Sequence, residues 1–551
     1  MINLIRRHLR SSLLHSLYSK ENISLYSTLS LPSRSHIPMD MQEATSNPAM
    51  EGDQRNPNFE EEIQPYKIHV SSKYLSLTQK KLELTRLPHE VALPKEREWE
   101  LGAPKNEIEP LIDFWLENYS WRTQEAHLNN SLPQYRIAFR LPPPSTSPPL
   151  RIHFVHIRSR HRHAIPLLLI PSSPLTNLSL IPLFAPLSDP ASPTSTQPFH
   201  LVVPSIPGLG FSDPLQTPEA EGTVLEYTAM ILNSIMLRLK YDFYLASATG
   251  SGRESAVGVD YHLPRLIGER FPGSCLGVSL LEPEVQSPRV GEGMSWVKFR
   301  VARFLKAAVF GYVKEDWRAM NLLRNKSKDT TKKDQVNEES PLLSGKKNKS
   351  LETVGVLGLR EPTTLSYALC DSPVGLLAVF CSGLRKISPN HSLSPTEIID
   401  VTSLAWLPGI EAGARFWAAA AKEIQAMSKK PPGPRTRVAI TVFRVDGSDP
   451  DRYTCPAWAT RKHNVVFTQR AVGLPGLVSW ERVDVVVAGV RGLAREIGNL
   501  DPRLRSRRLE DVLMSDDEYS ASEDDESGHD IQLNVGRPDT VANFNTNHGA
   551  A

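Results

Sequence analysis

Between Tyr244-Leu245-Ala246 and Phe271-Pro272 the chain gathers side chains that could do covalent chemistry. Ala248-Thr249-Gly250-Ser251-Gly252 follows a short apolar run and consists of small residues, as a strand-to-helix turn that presents a nucleophile must. Thr249 has Ser247 and Ser251 two positions to either side. A hydroxyl at Thr249 or Ser251 attacks a carbonyl only if a histidine takes its proton, and no histidine stands in sequence register to do so. Farther along, Gly258-Val259-Asp260-Tyr261 offers a carboxylate, Asp260, whose plainer role is a cap on the helix that contains His262 and Leu266. A base for Asp260 would have to come from His262 or His153 in space.

The elements that would position these groups read as an alternating α/β pattern. Ala164–Ile170, Phe199–Val203 and Phe243–Ala246 are apolar runs of strand length, each followed by turn residues and helical periodicity. Such alternation predicts a mostly parallel sheet with helices on both faces. Val438–Phe443 is the last strand expected, and a helix around Val483–Ile497 closes the pattern. With 551 residues, 40% of them hydrophobic, and a net charge of +2, the chain fits one large soluble domain with appendages and gives no reason to expect a nucleic-acid partner. Cys275, Cys370, Cys381 and Cys455 lack CxxC spacing, so buried free thiols in a reducing compartment are expected, with no metal site and no cofactor.

Residues 1–36 carry Arg6, Arg7, Arg10, Lys20 and Arg34 against a single acid, Glu21, with Ile5, Leu9, Leu13 and Leu14 on one helical face. That composition fits a mitochondrial transit peptide as well as it fits a disordered start before Met39, so the expected location is cytoplasmic or mitochondrial. No apolar run approaches the about 20 residues of a membrane span. Asn325–Ser350 is lysine-rich, Leu187–Pro198 is a Pro/Ser/Thr insertion, and the tail packs acids around serines in SDDEYSASEDDESGHD; all three read as disordered.

Several blocks resemble the epoxide hydrolases of the microsomal and fungal type. Pro65–Arg136 is similar to their N-terminal lid segment, Ile152–His156 with Arg158-Ser159 to their entry strand, Pro204–Asp213 (PSIPGLGFSD) to their glycine-rich loop, and Pro362–Gly375 (PTTLSYALCDSPVG) to their cap signature. The resemblance covers Pro65 to about Ile497 and implies an α/β-hydrolase fold with a helical cap. The organisation it implies is a leader at 1–60, a lid segment at 61–150, a first core part at 151–290, a cap at 291–409 with the insertion 325–350, a last core part at 410–500, and an acidic tail at 501–551.

The resemblance also implies a two-step hydrolysis. An elbow aspartate opens the epoxide, a histidine with an acid partner activates water against the resulting ester, and two cap tyrosines donate to the opening oxygen. At these positions the chain departs from the family. The nucleophile position falls on Gly250, with Asp260 as a displaced candidate, and the histidine position falls on Gly476 when Glu481 is the anchor. The acid position falls on Pro450 between Asp449 and Asp451. The tyrosine positions fall on Val354 and Trp417, whose indole N–H is a substitute donor; Tyr367 becomes a packing residue. The oxyanion loop reads Pro171-Ser172-Ser173-Pro174. His463 is expected at the surface beside a helix end, with His529 and His548 in the tail.

The expected function is therefore an epoxide-hydrolase-like protein that binds a hydrophobic small molecule, an epoxide included, without the standard mechanism. The alternatives are an active hydrolase using Asp260, or an esterase using Thr249 or Ser251. A scaffold working through the lysine-rich loop and acidic tail has only their composition to recommend it.

Overall fold

Residues 165–170, 199–204, 244–251, 275–281 and 437–444 are almost wholly buried, so each strand must hide both of its faces. The computed structural model achieves this with a nine-stranded sheet in the order β1-β2-β3-β5-β4-β6-β7-β8-β9. It describes residues 62–504 except 90–92, 141–147, 173–174, 194–195, 216–222, 254–256, 284, 286, 289–290, 292, 306–307, 318–360, 390–392, 428–434, 445–453 and 461. The leader, the 325–350 insertion, the acidic tail from 505 onward, Val354 and Asp449-Pro450-Asp451 lie outside the described residues.

In chain order the elements are β1 (Gln64–Pro65), α1 (Ser72–Glu83), α2 (Lys105–Glu117), α3 (Trp121–Ser131), β2 (Gln134–Phe139), β3 (Leu150–Ile157), β4 (Ile165–Ile170) and β5 (Phe199–Pro204). There follow α4 (Val224–Arg238), β6 (Tyr244–Ser251), α5 (Val259–Arg270), β7 (Cys275–Leu281) and α6 (Met294–Leu305). Then come α7 (Pro362–Leu369), α8 (Pro373–Ile387), α9 (Pro395–Trp406), α10 (Glu411–Met427), β8 (Arg437–Arg444), β9 (Asn464–Val472) and α11 (Val483–Leu500), with a few short helices between elements.

The first four strands of the sheet pair antiparallel, and from β5 onward every pair is parallel. Because strand side chains alternate, one set (Leu168, Ile170, Ala246, Val278, Ile440) packs with α4, α5 and Phe416 of α10. The other set (Leu167, Leu169, Leu245, Ala439, Phe443) packs with α11, Trp121 and Leu128. The α/β-hydrolase architecture read from the sequence is thus present, with two corrections. Val438–Phe443 is not the last strand: β9 extends the sheet by one more, and its half-exposed edge position explains why its pattern is not continuously apolar. Leu187–Pro198 is not simply a loop, since Leu187 and Ser188 are buried at the end of a short helix, Phe184–Ser188.

Leu82, Ile108, Ile112 and Trp115 of the N-terminal segment bury their side chains against Val374, Leu377, Ile398 and Ile399 of the cap helices α8 and α9. Polar clasps fix the same seam: Trp406 Nε1 donates to Thr78 Oγ1 at 2.8 Å, Tyr119 donates its hydroxyl proton to Asp400 at 2.7 Å, and Lys81 pairs with Asp371. α10 is tied to the core from the other side, because buried Glu423 accepts the Leu225 backbone N–H at 2.7 Å and so neutralises the amino-terminal end of α4. Three cysteines are buried as expected, whereas Cys370 is exposed at the end of α7, where its Sγ lies 3.2 Å from Glu411.

Candidate functional site

In a parallel sheet the loops after the strands converge at one edge, and that is where β4, β5, β6, β7 and β9 deliver the candidate residues. β6 does not bend into an elbow after Ala246. It continues as a buried strand through Ser251, which pairs with Leu281, and α5 begins only at Val259.

Thr249 and Ser251 are both spent on the scaffold. Thr249 Oγ1 donates to the Ile170 carbonyl of β4 at 2.7 Å, locking neighbouring strands together. Ser251 Oγ donates to Glu282 Oε2 at 2.9 Å. Glu282 follows β7, is buried, and holds φ +41, a conformation side chains of its kind adopt only when surroundings impose it. Its backbone N–H donates to the Thr441 carbonyl, which is part of that imposition. Sequence reasoning passed over Glu282, although an acid at the carboxyl end of the apolar run Cys275–Leu281 was a visible signal.

Asp260 occupies the second position of α5 and is 2% exposed. The helix-cap expectation needs correction: the N-cap is Gly258, at φ +78, and Asp260 lies in the first turn. There its charge suits the helix dipole, and Ser172 Oγ donates to Asp260 Oδ2 at 3.1 Å. Ser172 thus reaches from the loop after β4 into the space beside Gly250. A Cβ built on Gly250 would lie 1.9 Å from Ser172 Oγ, 2.4 Å from Ser172 Cβ and 3.7 Å from the Asp260 carboxyl carbon. The space a side chain at Gly250, the expected nucleophile position, would enter is therefore filled by a serine hydroxyl, with the Asp260 carboxyl just behind it. Pro171 is buried beside Ser172.

Gly476 shows the same pattern. Its φ is +57, and an added Cβ would lie 1.9 Å from Glu481 Oε2 and 3.3 Å from Ser388 Oγ. Ser388 donates to Glu481 at 2.6 Å, so a carboxylate–hydroxyl pair takes the volume a histidine would need.

The histidines are committed elsewhere. His153 is fully buried, with Nε2 3.0 Å from Gln134 Oε1 and Nδ1 3.3 Å from Asn177 Nδ2; one nitrogen donates and the other accepts, which only the neutral ring can do. Burial, reinforced by Arg136, pushes its pKa down to about 3. His262 lies two residues beyond Asp260, a spacing that turns it to another helix face, and burial holds its pKa at about 3. The surface position expected for His463 is overturned. The residue is 1% exposed, its Nε2 is 2.9 Å from the Tyr261 hydroxyl, and burial lowers its pKa to about 4. His463 precedes β9 and so lies at the opposite end of that strand from Gly476.

Trp417 of α10 is buried and packs edge-on against Phe416 within the core cluster. Tyr367 does not pack as expected: it projects from α7, 81% exposed. Among the described residues no cluster of three or more His, Cys, Asp or Glu could hold a metal ion.

Comparison with known proteins extends this picture. Residues 63–180 match the family model for the epoxide hydrolase N terminus. A Stigmatella aurantiaca (strain DW4/3-1) protein whose name assigns it provisionally to the epoxide hydrolases is 29% identical over 355 residues, 63% of this chain and 66% of that protein, so the chain spans just under two thirds of its length. Epoxide hydrolase 1 of Sus scrofa is 25% identical over 380 residues, 65% of this chain and 72% of that one. The solved Aspergillus niger epoxide hydrolase superposes with a TM-score of 0.56 at 20% identity, covering 80% of this chain and 97% of that structure, a likeness of fold.

Proposed function

The chain is a member of the epoxide hydrolase family with its α/β-hydrolase fold, and from that premise we propose that it binds a hydrophobic small molecule, an epoxide included, between sheet and cap without the family's standard hydrolysis. The observation that carries this reading is the double filling at Gly250 and Gly476. A single glycine could be compensated by a rearranged loop. Here the volumes of both a nucleophile and a base are occupied by polar side chains that hydrogen-bond within the protein, Ser172 with Asp260 and Ser388 with Glu481. Triad members act as a unit, so losing both removes the usual route altogether. The oxyanion loop fits this account, because Pro171 has no N–H to offer.

One observation favours a second reading. The Asp260 carboxyl carbon is only 3.7 Å from the point where a Gly250 side chain would start, so a carboxylate does approach the nucleophile position, from the helix side. In that reading Asp260 attacks and Ser172 orients it.

Incubating the purified chain with aryl and fatty epoxides, and with an ester alongside, separates the two. The first reading expects epoxides to raise the melting temperature while diol and acid stay at the buffer blank. Diol formation that disappears in Asp260→Asn would establish the second reading. Neither a thermal shift nor turnover with any epoxide would remove the ligand-binding proposal as well.

A further inference from the structure

On its inner side α6 is held by Ala302, fully buried, and by Phe299, whose ring lies 6.0 Å from Tyr312, 6.4 Å from Trp317 and 6.4 Å from Trp458. The opposite face has no such cover. Met294 is 68% exposed, Val297 44%, Val301 40%, Phe304 86% and Leu305 55%. At about 100° per residue these five fall within one arc of about 100°. Lys298 and Arg300, both exposed, border that arc on its two sides, and Arg303 stands farther round. Met294–Leu305 contains no acidic residue. Phe310, 54% exposed in the following loop, lies with its ring centroid 6.0 Å from Lys298 Nζ and continues the apolar surface past the helix.

We infer that this face of α6, with Phe310, is an interfacial membrane-docking surface for bilayers carrying anionic lipid. Such a helix lies in the plane of the membrane, sinking its apolar arc to the depth of the acyl chains while the bordering cations meet lipid phosphates. The aromatic anchors beneath Phe299 keep the arc facing outward, so no ordering of the helix is needed on contact.

Charge selects this occupant over others. A two-fold contact with a second copy would set Lys298 and Arg300 against their own counterparts, and a helix about 18 Å long falls well short of the roughly 800 Å² per partner of a stable interface. The acidic tail SDDEYSASEDDESGHD matches the cations but offers one large apolar side chain, Tyr519, to an arc of five. Among the described residues no single helix is long and apolar enough to cross a membrane.

Flotation of the full chain with vesicles of phosphatidylcholine alone, or of phosphatidylcholine with phosphatidylserine, tests this. The chain should rise with the phosphatidylserine vesicles and stay behind with the neutral ones. Lys298→Ala and Arg300→Ala should each lower the bound fraction about fivefold, and Phe304→Ser about tenfold. Because Phe304 is so exposed, its variant should melt at the wild-type temperature, which separates lost docking from lost folding. Absence of flotation on both vesicle types overturns the inference. So does equal binding by wild type and Phe304→Ser, which would leave only diffuse electrostatic adhesion. A lipid-free dimer that Phe304→Ser dissociates, in a chain that does not float, assigns the face to a second copy instead. Carbodiimide coupling of Lys298 to the acids of the tail in a chain that does not float assigns it to the tail.

Discussion

Two glycine-bearing segments, the loop after β5 and the end of β6, stand at the same edge of the sheet and differ. The loop after β5, Pro204–Asp213, uses Gly208 at φ +80 to lay its backbone against α10, where an added Cβ would lie 3.2 Å from the backbone of Ala412. α10 answers with Gly413, whose own Cβ would lie 2.7 Å from Leu209. The end of β6 also carries a glycine, Gly250, but there the vacated volume is occupied by Ser172 rather than by approaching backbone. The first pair of glycines lets two elements dock; the second lets a polar side chain fill what a reacting group would occupy. The glycine-rich loop keeps close backbone contact with α10, whereas at Gly250 the space is taken by a side chain that hydrogen-bonds to Asp260.

The largest effect that would sharpen this contrast is expected from Gly250→Asp. Forcing a Cβ into Ser172 and a second carboxylate beside buried Asp260 should cost about 3 kcal/mol or more by denaturant unfolding. Adding Ser172→Gly should return a substantial part of it. If Gly250→Asp alone is neutral, the filling is soft and the contrast fails. Gly208→Ala comes next, at about 1 to 2 kcal/mol, because the substituted residue must hold a left-handed conformation against α10. A cost near zero there would mean the loop is not closely docked.

The smallest effect is the one Asp400 has on the dependence of stability on pH. His153 and His262, with pKa values near 3, and His156 and His463, near 4, are held below the ordinary value of 6.5 by burial. The unfolded chain takes up protons that the folded one refuses, so stability is complete above about pH 6.5 and declines as pH falls toward 4. Asp400 acts oppositely: burial raises it to about 6, so its contribution is full below its unfolded value and is lost as pH rises through 6. With four histidines against one carboxyl, the urea midpoint should fall between pH 6.5 and 4. In Asp400→Asn that fall should steepen, since the opposing group is gone; an unchanged slope would show that the Asp400 carboxyl is not raised as described.

Much of the fold was legible because β4, β5, the start of β6 and β8 are apolar on both faces and so stand out as runs. β9 was legible only as Val465-Val466-Phe467, since an edge strand keeps polar residues such as Thr468, Gln469 and Arg470. The departures at Gly250 and Gly476 could be read from motif spacing, but what fills them could not. Ser172 and Asp260 are 88 residues apart and Ser388 and Glu481 are 93, pairs that only the chain path brings together. His463 misled because Arg461, Lys462 and Asn464 around it look like surface, while its ring turns inward to Tyr261.

The seam between the N-terminal segment and the cap has a consequence for how the chain is made. Tyr119 and Asp400 are 281 positions apart, and Thr78 and Trp406 are 328. During synthesis α1 and α2 therefore leave the ribosome long before their apolar partners on α8 and α9 exist. The nascent chain must carry Leu82, Ile108, Ile112 and Trp115 uncovered through most of translation, an interval in which chaperone occupancy should be highest and premature termination most prone to aggregation.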